Sequence, residues 1–507
     1  MTETRVADVC LVLEGTYPYV AGGVSAWAHD LIRAQSHLQF VLVSILPPQA
    51  SRERKYEVPP NVTAIEHVVL NDLPAGPASI PGGRQVLARL QAPLQRIHEG
   101  GSLAELRDIL RELRAAPRHL GRAFLLDSHD AWELMLRMYR EGHEHLSFLD
   151  YFWTWRTQLQ AMLAVCQCPL PQARVYHTLC TGYAGLFAAR AHLETGRPAF
   201  LTEHGIYTNE RRIEITMADW LREEVPGGLT IDRSRRDLKT LWIETFRSFS
   251  RACYDACDPI VTLYEGNTVL QLADGARKSS LRVIPNGIDL ARYGAVQREA
   301  GPHRPTVALI GRVVPIKDVK TFLRATARLR DSIPDVRVLV LGPLDEDPAY
   351  VEQCRALVDH LGLGATVTFT GRVLLTDYLP EIDVIALTSL SEAQPLVILE
   401  VGAAGIPTVA TDVGACREMI LGRSDESPAF GPGGVVTPVA NPAATAEGLA
   451  RLLRDGAFRD RCALAIQARV RHHYGKADLD RRYRALYEEL IATPDREPSG
   501  EELAWPA

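Results

Sequence analysis

The chain has 507 residues, 46% of them hydrophobic and 23% charged, too many for one compact core, so two or three domains of roughly 100–200 residues are expected. Its 56 basic and 62 acidic residues leave a net charge of −6, which excludes the footprint of a nucleic-acid binder and the polybasic patch of a membrane-surface protein. Small molecules or proteins are the expected partners. Nine cysteines are scattered: Cys166 and Cys168 are one residue apart, Cys253 and Cys257 three, and no second thiol or histidine pair completes a zinc set. They read as free thiols in a reducing compartment. Glu3, Asp8 and Glu14 confine the apolar run to Val9 to Leu13, and no window approaches the ~20 apolar residues of a membrane span. A cytoplasmic protein with no span of its own is expected.

Short β-branched runs alternate with amphipathic stretches, the pattern of parallel sheets covered by helices. Strands are predicted near 7–13, 40–46, 62–69, 173–179, 198–203, 259–264 and 281–285, then near 306–311, 336–342, 366–370, 383–388, 406–411 and 434–437. Tyr293 to Pro305 holds Gly294, Gly301, Pro302 and Pro305 and reads as a linker. The predicted class is α/β, with two doubly wound Rossmann-like domains facing a central cleft. Their expected bounds are 1–293 and 303–475, followed by a C-terminal helix over 476–495. Residues of about 72–165 carry helical patterns with few strands and read as a largely helical insertion, and 207–255 is also mostly helical. Tyr151-Phe152-Trp153-Thr154-Trp155 is open to two readings, aromatic packing of the insertion or a sugar-stacking or partner surface.

In chain order, the first chemical segment follows the first strand. Gly22 and Gly23 open the helical pattern Ala26 to Arg33 and remove side-chain bulk where a ligand approaches backbone at a helix N-terminus. The spacing is not that of the dinucleotide GxGxxG. Thr202-Glu203-His204-Gly205-Ile206-Tyr207 ends a predicted strand, where open α/β sheets place ligands. His204 suits contact with a sugar hydroxyl or a reacting oxygen. Pro285-Asn286-Gly287-Ile288-Asp289 is a turn by composition.

In the second half, Gly311-Arg312-Val313-Val314-Pro315-Ile316-Lys317 follows a predicted strand. Arg312 supplies a planar fork and Lys317 a point charge, a pair suited to a diphosphate; surface ion pairing is the other common use of such residues. Glu392 and Glu400 then stand eight positions apart around a strand, loop and helix entry. With Pro395 in the first helical turn, the free amides near Leu396 and Val397 suit an anion. Glu400, further along the helix, suits the paired hydroxyls of a ribose. Acids in opening helical turns also serve simply to complement the helix dipole.

Together these residues resemble the retaining GT-B glycosyltransferases of family 4. Arg312 and Lys317 match that family's diphosphate-binding pair, Glu392 and Glu400 its E-x7-E signature, Pro285 to Asp289 its interdomain turn, and Gly22-Gly23 its glycine loop. The run Asp8 to Tyr19, the helical insertion and Glu203 to Tyr207 are more similar still to the PelF branch, glycosyltransferases of bacterial Pel exopolysaccharide synthesis. The resemblance implies transfer of a hexose from a UDP-sugar, UDP-glucose first among them, to a polysaccharide or oligosaccharide acceptor. It implies catalytic roles for His204 and Glu392 and donor binding by Gly22, Gly23, Arg312, Lys317, Pro395, Leu396, Val397 and Glu400. No cofactor and no metal are expected, because the basic pair replaces a divalent cation and no Asp-x-Asp loop is present. Implied partners are the inner-membrane components of the Pel synthase, with recruitment of the protein to that membrane's inner face. Two other readings stay open: a UDP-sugar 2-epimerase of the same fold, and a non-catalytic nucleotide-sugar-sensing scaffold.

Overall fold

Among the described residues thirteen strands form two separate sheets, and burial along a strand follows from its place in its sheet. The structure is a computed structural model and describes residues 6–116, 120–216, 237–296 and 303–494. The described parts of 1–262, 267–282 and 483–507 make one unit, and the described parts of 263–266 and 283–482 make the other.

The first unit holds β1 (Ala7–Glu14), β2 (Phe40–Leu46), β3 (Val62–Val69), β4 (Ala173–Thr178), β5 (Ala199–Glu203), β6 (Cys257–Thr262) and β7 (Leu281–Val283), in the order β3-β2-β1-β4-β5-β6-β7. Every residue of β2 is buried, as expected of an interior parallel strand covered on both faces. β3, at the edge, is mostly half exposed. The second unit holds β8 (Thr306–Ile310), β9 (Arg337–Leu341), β10 (Val367–Gly371), β11 (Val384–Leu387), β12 (Thr408–Thr411) and β13 (Gly434–Thr437). Their order is β10-β9-β8-β11-β12-β13, with parallel pairing throughout. In each sheet the order reverses once, between β1 and β4 and between β8 and β11. Such switch points open a crevice at the carboxyl ends of the strands.

Each predicted strand is present, with ends displaced by up to two residues. The largest displacements are at β6, which ends at Thr262, β7, which ends at Val283, and β12, which starts at Thr408. Between β3 and β4 the described chain contains helices only, from Gly83–Ile97 to Phe148–Gln167. These helices share one core with the sheet: Leu90, Leu106, Ile109, Leu134 and Trp155 belong to the same buried cluster as Val12, Val43 and Tyr176. Buried polar groups reinforce the joint. Glu194 on helix Tyr183–Thr195 takes Arg114 from helix Leu103–Ala115 and Arg190 from its own helix, the latter at 2.6 Å. Arg190 also donates to the carbonyls of Val165 and Cys168 at 2.7 and 2.8 Å. The aromatic cluster divides between its two readings, for Tyr151 and Trp155 are buried whereas Trp153 is 60% exposed.

Helices Tyr207–Thr216 and Leu238–Ala256 fill the described part of the 207–255 region. Residues 217–236 of that region, the middle of the linker (297–302) and the tail from 495 lie outside the described residues. Helix Lys476–Ile491 takes the place of the expected C-terminal helix, and its residues from Tyr483 onward belong to the first unit. Tyr483 and Tyr487 are buried there. None of the nine cysteines is exposed, and none forms a disulfide. Among the described residues no helix is long and apolar enough to cross a membrane.

Candidate functional site

In the second unit, the loops that leave β8 and β11 meet at the switch point. Backbone bonds hold them together: the Leu390 amide donates to the Ile316 carbonyl at 2.8 Å, and the buried Thr388 hydroxyl donates to the Lys317 and Asp318 carbonyls at 3.1 and 3.0 Å. That stitching brings Lys317 Nζ onto Glu392 Oε1. The same oxygen accepts from the Ser389 hydroxyl at 2.7 Å. Gly414, with φ +52°, closes the loop from the far side, because a Cβ there would collide with the carbonyls of Glu392 and Ala393. Arg312 leaves the end of β8 in another direction and pairs with Glu346 at 2.8 Å. Both of those side chains are exposed, so little free energy holds that pair closed.

The helix after the loop is Leu396–Ala403, with Pro395 as its N-cap at φ −71°, ψ 109°. This corrects the expectation that Pro395 lies in the first turn. The extended ψ puts the helix start one residue later, so Leu396 and Val397 are its first two residues and their amides precede the intrahelical ladder. Glu400 projects from the second turn and accepts from the Tyr293 hydroxyl at 2.9 Å. Burial pushes its carboxyl above the usual range, against the opposing pull of Tyr293 and Arg292. Upstream of the helix, Gln394 Oε1 accepts from the Asn286 amide at 2.6 Å, which ties the Pro285-to-Asp289 turn to the carboxylate loop.

In the first unit, Gly22 and Gly23 end the loop after β1 and open helix Gly23–Ala34. Gly22 has the extended φ of 173°, both glycines are exposed, and a Cβ at either would meet nothing within 4 Å. Neither backbone nor packing calls for glycine at these two positions. His204 follows β5, with its ring edge-on to Trp27 at 4.6 Å between centroids. Its Nε2 is buried without a hydrogen-bond partner among the described residues. Burial pushes the imidazole down to about 4, so it is uncharged at neutral pH.

The backbone around His204 is held by carboxylates at two strand ends. Glu203, at the end of β5, accepts from the Tyr254 hydroxyl and Gln271 Nε2, both at 2.8 Å, and from the Tyr207 amide at 3.4 Å. Glu14, at the end of β1, accepts from the Tyr207 hydroxyl at 2.7 Å and the Ala184 amide at 3.1 Å. Tyr207 is thus gripped at both its amide and its hydroxyl, which fixes the three-residue loop before it. Trp27 is supported in turn by Tyr483 at 5.4 Å, and His177 bonds Tyr487 and Thr202 at 2.8 and 2.9 Å.

A family model described as a domain of unknown function (DUF3492) matches residues 7–279, more than half of the chain. The chain belongs to the DUF3492 family. A second model, described as Glycosyl transferases group 1, matches residues 304–455, the stretch that carries Arg312, Lys317, Glu392 and Glu400. D-inositol 3-phosphate glycosyltransferase from Rhodococcus opacus is 35% identical over 153 residues, 28% of this chain and 34% of that protein. The chain therefore spans about a third of the length of the curated relatives it matches. Sucrose-phosphate synthase from Thermosynechococcus elongatus superposes with a TM-score of 0.58 at 17% identity, over 96% of this chain and 99% of that one. Anabaena HepE, solved in complex with UDP and glucose, superposes with a TM-score of 0.53 at 14% identity, over 95% and 100%. The fold is GT-B.

Sequence reasoning reached Lys317, Glu392, Glu400 and His204 but missed the residues that hold them. Within the DUF3492 portion these are Trp27, Glu203 and Glu14; beyond it they are Ser389, Gln394, Gly414 and Tyr293. Glu203 and Glu14 carried a readable signal, since each is a carboxylate ending a mostly apolar strand. Tyr293 carried none, because its partner Glu400 lies 107 positions away in sequence.

Proposed function

We propose that the chain is a retaining, metal-independent glycosyltransferase of family 4 and the PelF branch, moving a hexose from a UDP-sugar, UDP-glucose first, onto a growing exopolysaccharide such as Pel. The observation that carries this reading is the meeting of Lys317, Ser389 and Glu392 at the switch point between β8 and β11, with Glu400 on the helix that follows. A basic group and two carboxylates at one strand-end crevice suit a ligand that is anionic at its centre and hydroxylated at both ends.

In this reading Lys317 exchanges Glu392 for a phosphate oxygen, and Arg312 exchanges the exposed Glu346 for another. Both charges then stabilise the departing diphosphate, with the amides of Leu396 and Val397 adding backbone donors. Glu392, released from Lys317 but still bonded to Ser389, turns to the hexose, and Glu400 takes the ribose hydroxyls. The bond from the anomeric carbon to the diphosphate breaks as the acceptor oxygen bonds the same face, and the acceptor's proton passes to the leaving phosphate oxygen. His204, uncharged and with Nε2 unpartnered, contributes a hydrogen bond to a sugar hydroxyl. The open space at Gly22 and Gly23 admits ligand close to backbone. The protein acts in the cytoplasm, recruited to the inner membrane by the Pel synthase components.

Calorimetric titration of the full chain with UDP, GDP, ADP and their glucose conjugates, in EDTA, alongside Lys317→Ala, tests the reading. Selective UDP binding that weakens in the variant is the expected result. Absence of binding by every nucleotide would replace the enzyme with an idle scaffold.

A further inference from the structure

The turn Pro285 to Asp289 and the short helix Leu290–Gly294 after it are fixed more firmly than a connector requires. The Asp289 carboxylate caps the helix by accepting from the amides of Ala291 and Arg292 at 2.9 and 3.2 Å. Ile288 exchanges backbone bonds with Tyr474 and Lys476 at 2.9 and 3.0 Å. Gly287 has no room for a Cβ, which would press on Leu479, the Lys476 backbone and the Tyr474 carbonyl. Asn286 is bonded to Gln394. The product of this bracing is one buried side chain, Tyr293, 8% exposed, whose hydroxyl donates to Glu400 Oε1 at 2.9 Å. Glu400 Oε2 takes no hydrogen bond among the described residues.

The two acids of the loop and helix are therefore held in different ways. Glu392 is held by an ammonium, the same group that the nucleotide-sugar reading assigns to a phosphate. Glu400 is held by a neutral donor, which orients a carboxylate without cancelling its charge and need not leave when a ligand arrives. Arg292, 5.3 Å from the Tyr293 ring centroid, favours the charged form of the carboxylate without bonding it. A carboxylate with one oxygen fixed and the other open is prepared for a pair of hydroxyl donors.

We infer that Tyr293 is a positioning residue for a vicinal diol, the ribose of the nucleotide donor: by holding Oε1 of Glu400 it presents Oε2 to the 2′- and 3′-hydroxyls. The inference rests on the nucleotide-sugar reading and assigns a residue that reading does not use. Its test compares UDP with 2′,3′-dideoxy-UDP by calorimetry on the full chain, in wild type, Tyr293→Phe, Glu400→Gln and the double variant. Wild type should prefer UDP by roughly 10-fold or more, the scale of hydrogen bonds to a charged group. Tyr293→Phe keeps the ring and should cut that preference to about threefold or less while leaving dideoxy-UDP affinity unchanged. The double variant should match Glu400→Gln alone, because there is no carboxylate left to orient.

A full preference retained in Tyr293→Phe overturns the role of Tyr293 and leaves the nucleotide reading standing. An equal fall for both ligands also overturns it, since that is the mark of disturbed packing, and a melting curve of the variant identifies this case. A wild type that binds neither ligand, or binds both alike, removes the ribose site itself and the inference with it.

Discussion

The loop after β5 and the loop after β11 occupy the same kind of place in their two sheets, yet they handle charge in opposite ways. At the end of β5 burial drives titratable groups toward their uncharged forms, with Glu203 pushed up to about 7 and His204 down to about 4. At the end of β11 the contact is an ion pair partly open to solvent: Lys317 and Glu392 meet with 19% and 13% of their side chains exposed. A buried neutral imidazole suits hydroxyl chemistry, whereas an ion pair that opens suits a phosphate. The contrast teaches that one kind of strand-end scaffold separates the two recognition tasks by dielectric as much as by residue type.

Replacing Glu203 should strain this comparison most. The unfolded chain releases that proton near pH 4.5 and the folded chain near 7, so stability is present below pH 4.5 and falls by up to about 3 kcal/mol as pH rises to 7. For His204 the sign is opposite: the folded chain stays unprotonated where the unfolded chain takes a proton, and stability is lost as pH falls from about 6.5 to about 4. Glu203→Gln should abolish the first loss and leave the second. Matching profiles of melting temperature against pH for variant and wild type would erase the contrast.

Lys317→Ala comes next and should weaken UDP binding by about 1.5–3 kcal/mol, the range for a charge-assisted bond; unchanged affinity by calorimetry removes Lys317 from a diphosphate site. His204→Ala should lower turnover by roughly 10- to 30-fold, about 1.4–2 kcal/mol, with UDP affinity near that of wild type. Steady-state rates at saturating UDP-sugar decide this, and full turnover would end its catalytic role. Ser389→Ala should have the smallest effect, about 0.5–1.5 kcal/mol on turnover from the loss of one bond to Glu392. A larger effect would show that Ser389 orders the loop as a whole.

Much of the architecture was legible because interior parallel strands are near-continuous apolar runs and stand out from amphipathic helices, as in Phe40–Leu46, broken only by Ser44, and Val384–Leu387. The charged members of the site were legible because acids and bases at strand ends follow a rule of topology. What stayed hidden was pairing across long separations. Nothing local to Trp27 points to His204, and nothing local to Gln394 points to Asn286. Pro395 was misplaced by one residue because proline suits the N-cap position as well as the first turn, and only its ψ distinguishes them.

The shared core of insertion and sheet bears on how this protein is taken apart in the laboratory. Because the helices between β3 and β4 are a wall of the first unit and not an appendage, excising residues 72–165 would uncover the apolar faces that Leu90, Ile109 and Trp155 now close. Lost partner binding in such a deletion would report a collapsed molecule. A surface role for this region is better sought by changing its exposed rings, Trp132 and Trp153, one at a time in the intact chain.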